Sequence, residues 1–124
     1  IIMRALDQKP KHGEIWLMNC EPSVGHEYRG IRPALVVQAV ELDNSRLITV
    51  VPLSTKIDKG NLCDIVILKD TMNRLQSDSL AKIQHIQSRD RSRFDFYIGK
   101  VSDESLRQVK ESLRVHLGLK NNDD

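Results

Sequence analysis

The stretch Ala34-Leu35-Val36-Val37-Gln38 and, after the turn residues Asp43-Asn44-Ser45, the stretch Arg46-Leu47-Ile48-Thr49-Val50-Val51 decide the fold class. Both stretches are rich in β-branched and aliphatic residues, and Pro33 precedes the first of them. Two short apolar runs on either side of a turn signal predict an antiparallel hairpin. A central antiparallel sheet is therefore expected.

Other short apolar runs surround this hairpin. They predict further strands over residues 14–18, 64–68, 79–86 and 96–101. In the strand over 79–86, Lys82, Gln84 and His85 are expected on or near the polar face. Nearer the end of the chain the apolar residues recur every three or four positions, at Leu106, Val109, Leu113 and Leu117, which predicts a helix. Ser102 is its predicted N-cap, and Gly118 ends it.

Strands followed by one helix predict a mainly β fold in which the helix packs on a small, twisted, barrel-like antiparallel sheet. A chain of 124 residues has room for one such domain, which we place at residues 12–119. Residues 1–11 are expected to form a poorly ordered lead-in, and residues 120–124 a disordered polar tail. A barrel this small is filled by its own side chains, so a site is expected in loops, on the rim or in a dimer groove.

Composition excludes several classes of protein. Hydrophobic residues make up 40% of the chain and charged residues 29%, and no apolar run reaches the roughly 20 residues of a membrane helix. The start lacks the apolar region of a secretion signal, so a cytoplasmic protein with no membrane association is expected. Cys20 and Cys63 are expected to be reduced thiols, and they lack the neighbours of a zinc site, so no metal or cofactor is predicted.

The net charge of +2 does not by itself indicate nucleic-acid binding, but basic residues are dense between Lys82 and Lys100. This density includes Arg89, Arg91 and Arg93. Asp90 and Asp95 are interspersed, so a solvated charged loop is an equally open interpretation of this stretch.

The connection Pro22-Ser23-Val24-Gly25-His26-Glu27-Tyr28-Arg29-Gly30-Ile31-Arg32-Pro33 is unusual because it combines glycines, arginines, a histidine, a carboxylate and an aromatic ring. Gly25 and Gly30 allow positive φ, and Pro33 keeps Arg32 extended at the rim of the sheet. From these residues alone, a solvated surface loop and a functional site both remain open.

Here the chain resembles the MazF/PemK (Kid) toxins. Those proteins typically read Gly-(Asp/Glu)-(Ile/Val)-(Trp/Tyr), then Pro, then Gly-Ser-Glu-Gln-x-Gly-x-Arg-Pro and an apolar run. This chain has Gly13-Glu14-Ile15-Trp16, then Pro22, then Gly25 to Val37 with Arg32-Pro33 in the matching place. The likeness continues through Val51-Pro52-Leu53-Ser54-Thr55 and covers about residues 12 to 119.

The resemblance implies an SH3-like barrel, a homodimer, and metal-independent cleavage of single-stranded RNA that leaves a 2′,3′-cyclic phosphate and a 5′-hydroxyl. Arg32 matches the family's catalytic arginine, which suits a phosphate because its planar fork donates two hydrogen bonds. Ser54 matches a functional threonine, with Thr55 adjacent. Glu27 matches the loop glutamate, as a general base or as the residue that positions Arg32.

The resemblance implies further contacts with RNA from the aromatic Tyr28 by stacking, from the basic Arg29, Lys56 and Lys82, and from the polar His26, Gln84 and His85. Gln84 stands where the family often has an acidic residue, so the carboxylate base of some members is missing. His85 or His26 could replace it, since imidazole titrates near neutral pH.

The resemblance also implies a MazE-like antitoxin whose acidic, apolar C-terminal segment competes with RNA. An alternative belongs to another class of protein. The fold is also similar to that of the CcdB toxins, which bind DNA gyrase without cleaving a substrate, and the missing acidic residue leaves that non-catalytic interpretation open. The loop motif favours the ribonuclease.

Overall fold

The computed structural model of the chain describes residues 8–21, 25, 30–42 and 44–119. The predicted lead-in is described only from residue 8 onwards, and the predicted tail at 120–124 lies outside the described residues. Within them the elements are, in order, β1 Glu14–Asn19, β2 Ile31–Val36, β3 Leu47–Ser54, β4 Ile65–Ile67, β5 Ser79–Ala81, β6 Gln87–Asp90, β7 Phe94–Lys100 and α1 Asp103–His116.

The strands form one antiparallel sheet in the order β4-β5-β3-β2-β1-β7, and β6 pairs with β3. The predicted hairpin is confirmed, because β2 pairs with β3 through Leu35 and Val51. β3 is the longest strand, and it is shared: its first half pairs with β6 and its last two residues pair with β5. The predicted mainly β fold with one terminal helix is therefore correct.

The sheet curls because of how β6 and β7 are connected. These two strands lie at opposite ends of the path β6-β3-β2-β1-β7, yet only the 3-10 turn Arg91–Arg93 separates them in the chain. The two edges must therefore come close together. Among the described residues no ladder joins β6 to β7, so the sheet is barrel-like but open.

Side chains alternate along the strands into two apolar clusters. The inner cluster, on the concave side of the curl, consists of Trp16, Met18, Cys20, Ala34, Val36, Ile48, Val50 and Phe94. The helix-side cluster includes Ile15, Leu35, Val51, Leu53, Ile83, Val109 and Leu113, among others. The barrel is filled by its own side chains, as the sequence predicts.

Helix α1 packs on the outer face of the sheet through its buried residues Val109 and Leu113. Its N-cap is the predicted Ser102, whose side chain accepts a hydrogen bond from the backbone N–H of Ser105 at 3.1 Å. Gly118 follows the helix with φ of 69°, a conformation that favours glycine. In the part of the chain described here, no helix is both long enough and apolar enough to cross a membrane.

The strand predicted over 79–86 is wrong in its second half. After β5, the residues Ile83–His85 form a 3-10 turn, and β6 begins at Gln87. Regular continuation of the pairing of Leu53 with Ala81 would place Gln84 opposite Val50, but Val50 pairs with Gln87. The three inserted residues bury Ile83 in the helix-side cluster, and that burial explains the interruption.

Candidate functional site

Arg32 and Ser54 come from neighbouring strands at one end of the barrel. Arg32 pairs with Met18 of β1, and Ala34 pairs with Pro52 of β3. Continuing that register by two residues brings Ser54 opposite Arg32, where Cβ atoms of paired residues lie about 5 Å apart. Because Ala34 belongs to the inner cluster, alternation places Arg32 on the same inner side of the sheet.

The hydroxyl of Ser54 is oriented by the turn that follows it. Ser54 is partly buried at the last position of β3, and its Oγ accepts a hydrogen bond from the backbone N–H of Lys56 at 3.2 Å. Since Oγ acts as an acceptor there, its proton is oriented to donate elsewhere. Thr55 and Lys56 are exposed beside it, so a cation lies next to the hydroxyl on the surface.

The loop between β1 and β2 leaves and returns at this same end. The backbone N–H of Cys20 donates to the carbonyl of Gly30 at 2.8 Å, and the N–H of Gly30 donates to Oε1 of Glu21 at 2.9 Å. Gly25 and Gly30 have φ of 62° and 70°, so the predicted positive φ is confirmed at both. The loop residues assigned to the site, His26, Glu27, Tyr28 and Arg29, lie outside the described residues.

Three arginines converge on Cys20. Its thiol is fully buried, and burial raises its pKa, while the positive charges of Arg89, Arg32 and Arg93 act in the opposite direction. Arg93 also donates through Nη1 to the carbonyl of Glu21. The carboxylate of Glu21 acts in the same direction as burial, so the charges that act on Cys20 at this end of the barrel are three arginines and one glutamate, a net positive set.

The neighbouring Arg91 is held against the barrel wall. Its guanidinium carbon lies 5.7 Å from the centroid of the Trp16 ring, and its Nη1 donates to the carbonyl of Phe94 at 3.1 Å. Burial lowers its pKa, but an arginine keeps its charge at neutral pH. Trp16 is itself buried in the inner cluster, which makes it a core residue.

The prediction that Lys82 lies on the polar face is wrong. Only 11% of its side chain is exposed, and its Nζ lies 2.7 Å from Oδ2 of Asp64. A contact between Lys82 and RNA would require this ion pair to open. The structure thus gives Lys82 a partner inside the protein.

Gln84 and His85 lie in the 3-10 turn, and both are exposed. Gln84 faces the helix side: its Oε1 accepts from Asn61 at 3.3 Å, and it lines a surface cavity of about 550 Å³ together with Leu62 and Val115. Arg32 faces the inner side of the sheet, so the structure does not bring Gln84 to it. The backbone carbonyl of His85 accepts a hydrogen bond from Gln87 at 3.0 Å.

Arg89, Arg91 and Arg93 were not assigned to the site from the sequence. Their density was visible, but the solvated-loop interpretation could not be excluded, because only the structure brings this segment against the end of β1. The described residues contain no group of three or more histidines, cysteines and carboxylates that could hold a metal ion.

The matches to known proteins agree with this geometry. A family model described as PemK-like, MazF-like toxin of type II toxin-antitoxin system matches residues 11–117. The chain is 36% identical over 116 residues to the endoribonuclease MazF9 of Mycobacterium tuberculosis, covering 88% of this chain and 97% of that protein. It is 24% identical to the endoribonuclease MazF of Staphylococcus saprophyticus, covering 88% and 92% of the two chains.

Solved structures have the same fold. The crystal structure of MazF from Deinococcus radiodurans superposes with a TM-score of 0.76 at 27% identity, covering 91% of this chain and all of that one. A MazF chain from a MazE-MazF crystal of the same organism gives a TM-score of 0.73 at 22% identity, covering 92% of this chain. On the strength of the family match and the close relative, the chain belongs to the PemK-like, MazF-like toxins of type II toxin–antitoxin systems.

Proposed function

We propose that this toxin, an endoribonuclease by family, cleaves single-stranded RNA at a short recurring sequence without a metal ion. The attacking group is the ribose 2′-hydroxyl, and the products are a 2′,3′-cyclic phosphate and a 5′-hydroxyl. This proposal is supported by the register of β2 and β3, which, when continued by two residues beyond the pair of Ala34 and Pro52, brings Arg32 opposite Ser54 at the end of the barrel where Arg89 and Arg93 also act on Cys20.

Arg32 is the proposed stabiliser of the transition state. Attack by the 2′-hydroxyl adds negative charge to the phosphate oxygens, and a fixed guanidinium offers two parallel donors to them. Pairing with Met18 of β1 holds the backbone of Arg32 in β2, so its side chain starts from a fixed position on the sheet. The cationic surroundings also attract the RNA backbone.

Ser54 is the proposed second donor to the phosphate or to the 2′-hydroxyl. Its Oγ already accepts from the N–H of Lys56, so its own proton is available for donation to an oxygen of the substrate. A serine hydroxyl does not act as a base unaided. That role stays proposed for Glu27, with His26 or His85 as the other candidates.

The finer features follow from family membership and remain proposals. We propose that two copies form a homodimer, that RNA lies in the groove between them, and that a MazE-like antitoxin occupies the same groove. MazE-MazF of Deinococcus radiodurans was crystallised in more than one form, which supports the choice of partner. Contacts with bases are proposed for Tyr28, Arg29 and Lys56, and the cytoplasm is the proposed location.

The test is incubation of the purified protein with a long defined RNA in the presence of EDTA. Fragment ends are mapped by sequencing, and 5′-hydroxyl ends are identified by direct labelling with polynucleotide kinase. Cuts at one recurring short sequence are expected for the wild type. Arg32→Ala is expected to abolish them, and Arg32→Lys to retain little activity because it keeps the charge but not the planar fork.

Arg107→Ala serves as the matched control, because Arg107 is an exposed arginine on α1, on the other face of the sheet. Intact RNA with wild type and variants alike, across many sequences, would refute the proposal. The CcdB-like alternative would then be tested by a gyrase supercoiling assay.

A further inference from the structure

We propose that Arg89, held in place by Gln87, is a second phosphate-binding cation, which contacts the backbone of the same RNA strand on which Arg32 acts. The proposal rests on the proposed function and extends it by one residue. It makes Arg89 a binding residue, whereas Arg32 acts at the phosphate that is cleaved.

The first support is the position of β6. Arg89 pairs with Ile48 and Gln87 pairs with Val50, and both partners belong to the inner cluster. Side chains at paired positions lie on the same face of a sheet, so Arg89 and Gln87 point towards the concave side, as Arg32 does. Residues 87 and 89 are two apart, which keeps them on one face.

The second support is the hydrogen bond between them. Nε of Arg89 donates to Oε1 of Gln87 at 2.8 Å, and Gln87 in turn donates through Nε2 to the backbone carbonyl of His85 at 3.0 Å. This chain of bonds fixes the plane of the Arg89 guanidinium. A guanidinium whose orientation is fixed in advance loses less entropy when it binds a phosphate.

The third support is the convergence of Arg89 and Arg32 on one buried atom. The turn Arg91–Arg93 brings the end of β6 to the start of β7, where Phe94 pairs with Met18. Arg32 pairs with the same Met18 from the other side. The charges of both arginines act to lower the pKa of the Cys20 thiol, which lies two residues beyond Met18 and just past the end of β1, so both arginines belong to this end of the barrel.

The chemistry favours a polyanion as the ligand. Two guanidinium groups at one end of a barrel repel each other, and an anion that extends across both reduces that repulsion. The successive phosphates of a single RNA strand form such an extended anion without any requirement for a particular base. Arg89 is therefore expected to contribute affinity that depends on salt and not on sequence.

The experiment measures binding of a fluorescein-labelled RNA that contains the mapped cleavage site, with a 2′-O-methyl group in place of the attacking hydroxyl. Affinity is measured over a range of KCl concentrations for the wild type, Arg89→Gln, Arg89→Lys and Arg107→Gln. For single strands, the slope of log affinity against log salt falls by about 0.7 for each phosphate contact that is lost.

Arg89→Gln is expected to flatten this slope by about one contact and to weaken binding to all RNA sequences alike. Arg89→Lys keeps a charge and should restore the slope, while Arg107→Gln should match the wild type. If the wild type cleaves RNA and the slope of log affinity against log salt is the same for Arg89→Gln as for the wild type, this inference is overturned and the proposed function is not. A wild type that neither binds nor cuts RNA would overturn the proposed function and this inference with it.

A change in fold is excluded by a separate measurement. Thermal unfolding followed by circular dichroism checks that Arg89→Gln is folded at the assay temperature. If Arg89→Gln unfolds, Arg89→Lys and Gln87→Leu decide the question. Gln87→Leu keeps the charge and removes the hydrogen bond at Nε of Arg89. Weaker binding with an unchanged slope is therefore expected, and wild-type affinity in Gln87→Leu would contradict the role of Gln87.

Discussion

The ammonium group of Lys82 lies 2.7 Å from Oδ2 of Asp64, and only 11% and 1% of the two side chains are exposed. Asp64 immediately precedes β4 and Lys82 immediately follows β5, so this buried ion pair fastens the outer hairpin at its open end. Removal of one partner from such a pair leaves an uncompensated charge inside the protein.

Lys82→Met is therefore expected to lower the free energy of unfolding by about 3 to 5 kcal/mol. Urea unfolding followed by tryptophan fluorescence measures the loss. Lys100→Met, which changes an exposed lysine of β7, is the control and should stay within about 0.5 kcal/mol of the wild type. The double variant Lys82→Met, Asp64→Leu should recover most of the loss, and a double variant no more stable than Lys82→Met would contradict this account.

The same pair predicts how stability changes with pH. Burial raises the pKa of the Asp64 carboxyl, but hydrogen bonds from the backbone of Asn61 and from Lys82 outweigh this effect and lower it below the usual value. Because its pKa is lowered, the ionised carboxylate stabilises the folded protein at neutral pH, and this stabilisation is lost as the pH falls below about 4. The difference in unfolding free energy between the wild type and Asp64→Asn should shrink there, and a constant difference down to pH 2.5 or so would exclude the mechanism.

Gly99 is expected to tolerate no side chain. A Cβ at this position of β7 would lie 2.4 Å from the backbone oxygen of Asn73, and backbone cannot move aside as a side chain can. Gly99→Ala should therefore lower the free energy of unfolding by about 1 to 3 kcal/mol or prevent folding. Gly60→Ala is the comparison, because its Cβ would meet the end of the Leu80 side chain at 3.1 Å and the backbone oxygen of Ile57 at 3.5 Å, which is an ordinary contact. Equal melting temperatures for both variants would disprove the argument.

The roles of Ser54 and Thr55 can be distinguished by the rates at which their variants cleave RNA. Ser54→Ala is expected to lower the rate of RNA cleavage by about 100-fold or more, the usual loss when a fixed donor to the transition state is removed. Ser54→Thr should keep most activity because it retains the hydroxyl. Thr55→Val should lose less cleavage activity than Ser54→Ala, because Thr55 follows β3 and is exposed. A greater loss in Thr55→Val than in Ser54→Ala would move the proposed role to Thr55.

Much of the fold was predictable from periodicity. The hairpin was found because two apolar runs lie on either side of a turn signal, and α1 because its apolar residues repeat at the spacing of a helix. Ser102 was found because N-caps have a strong residue preference. β6 was missed because its sequence, Gln87-Ser88-Arg89-Asp90, contains no apolar residue. It is a strand because β3 leaves an unpaired edge there, and Ser88 bonds the hydroxyl of Thr49 at 2.6 Å.

The site was predictable only where the chain resembles a family. Arg32 and Ser54 were named from matching residues, and the strand register then brought them opposite each other. The approach of Arg89 to Cys20 depends on the curl of the whole sheet. No local pattern reports a contact made by closing five strands on one another, so this part of the site had to come from the structure.

The shortness of β4 bears on how this protein avoids aggregation. β4 is the outer edge of the sheet and contains only Ile65–Ile67, of which Val66 is 46% exposed. An exposed edge strand is a template to which another chain can add, and a length of three residues offers few hydrogen bonds to a partner. Longer edge strands β6 and β7 are drawn towards each other by the turn Arg91–Arg93. The curl that brings the arginines together thus also leaves the three-residue strand β4 as the outer edge of the path β4-β5-β3-β2-β1-β7.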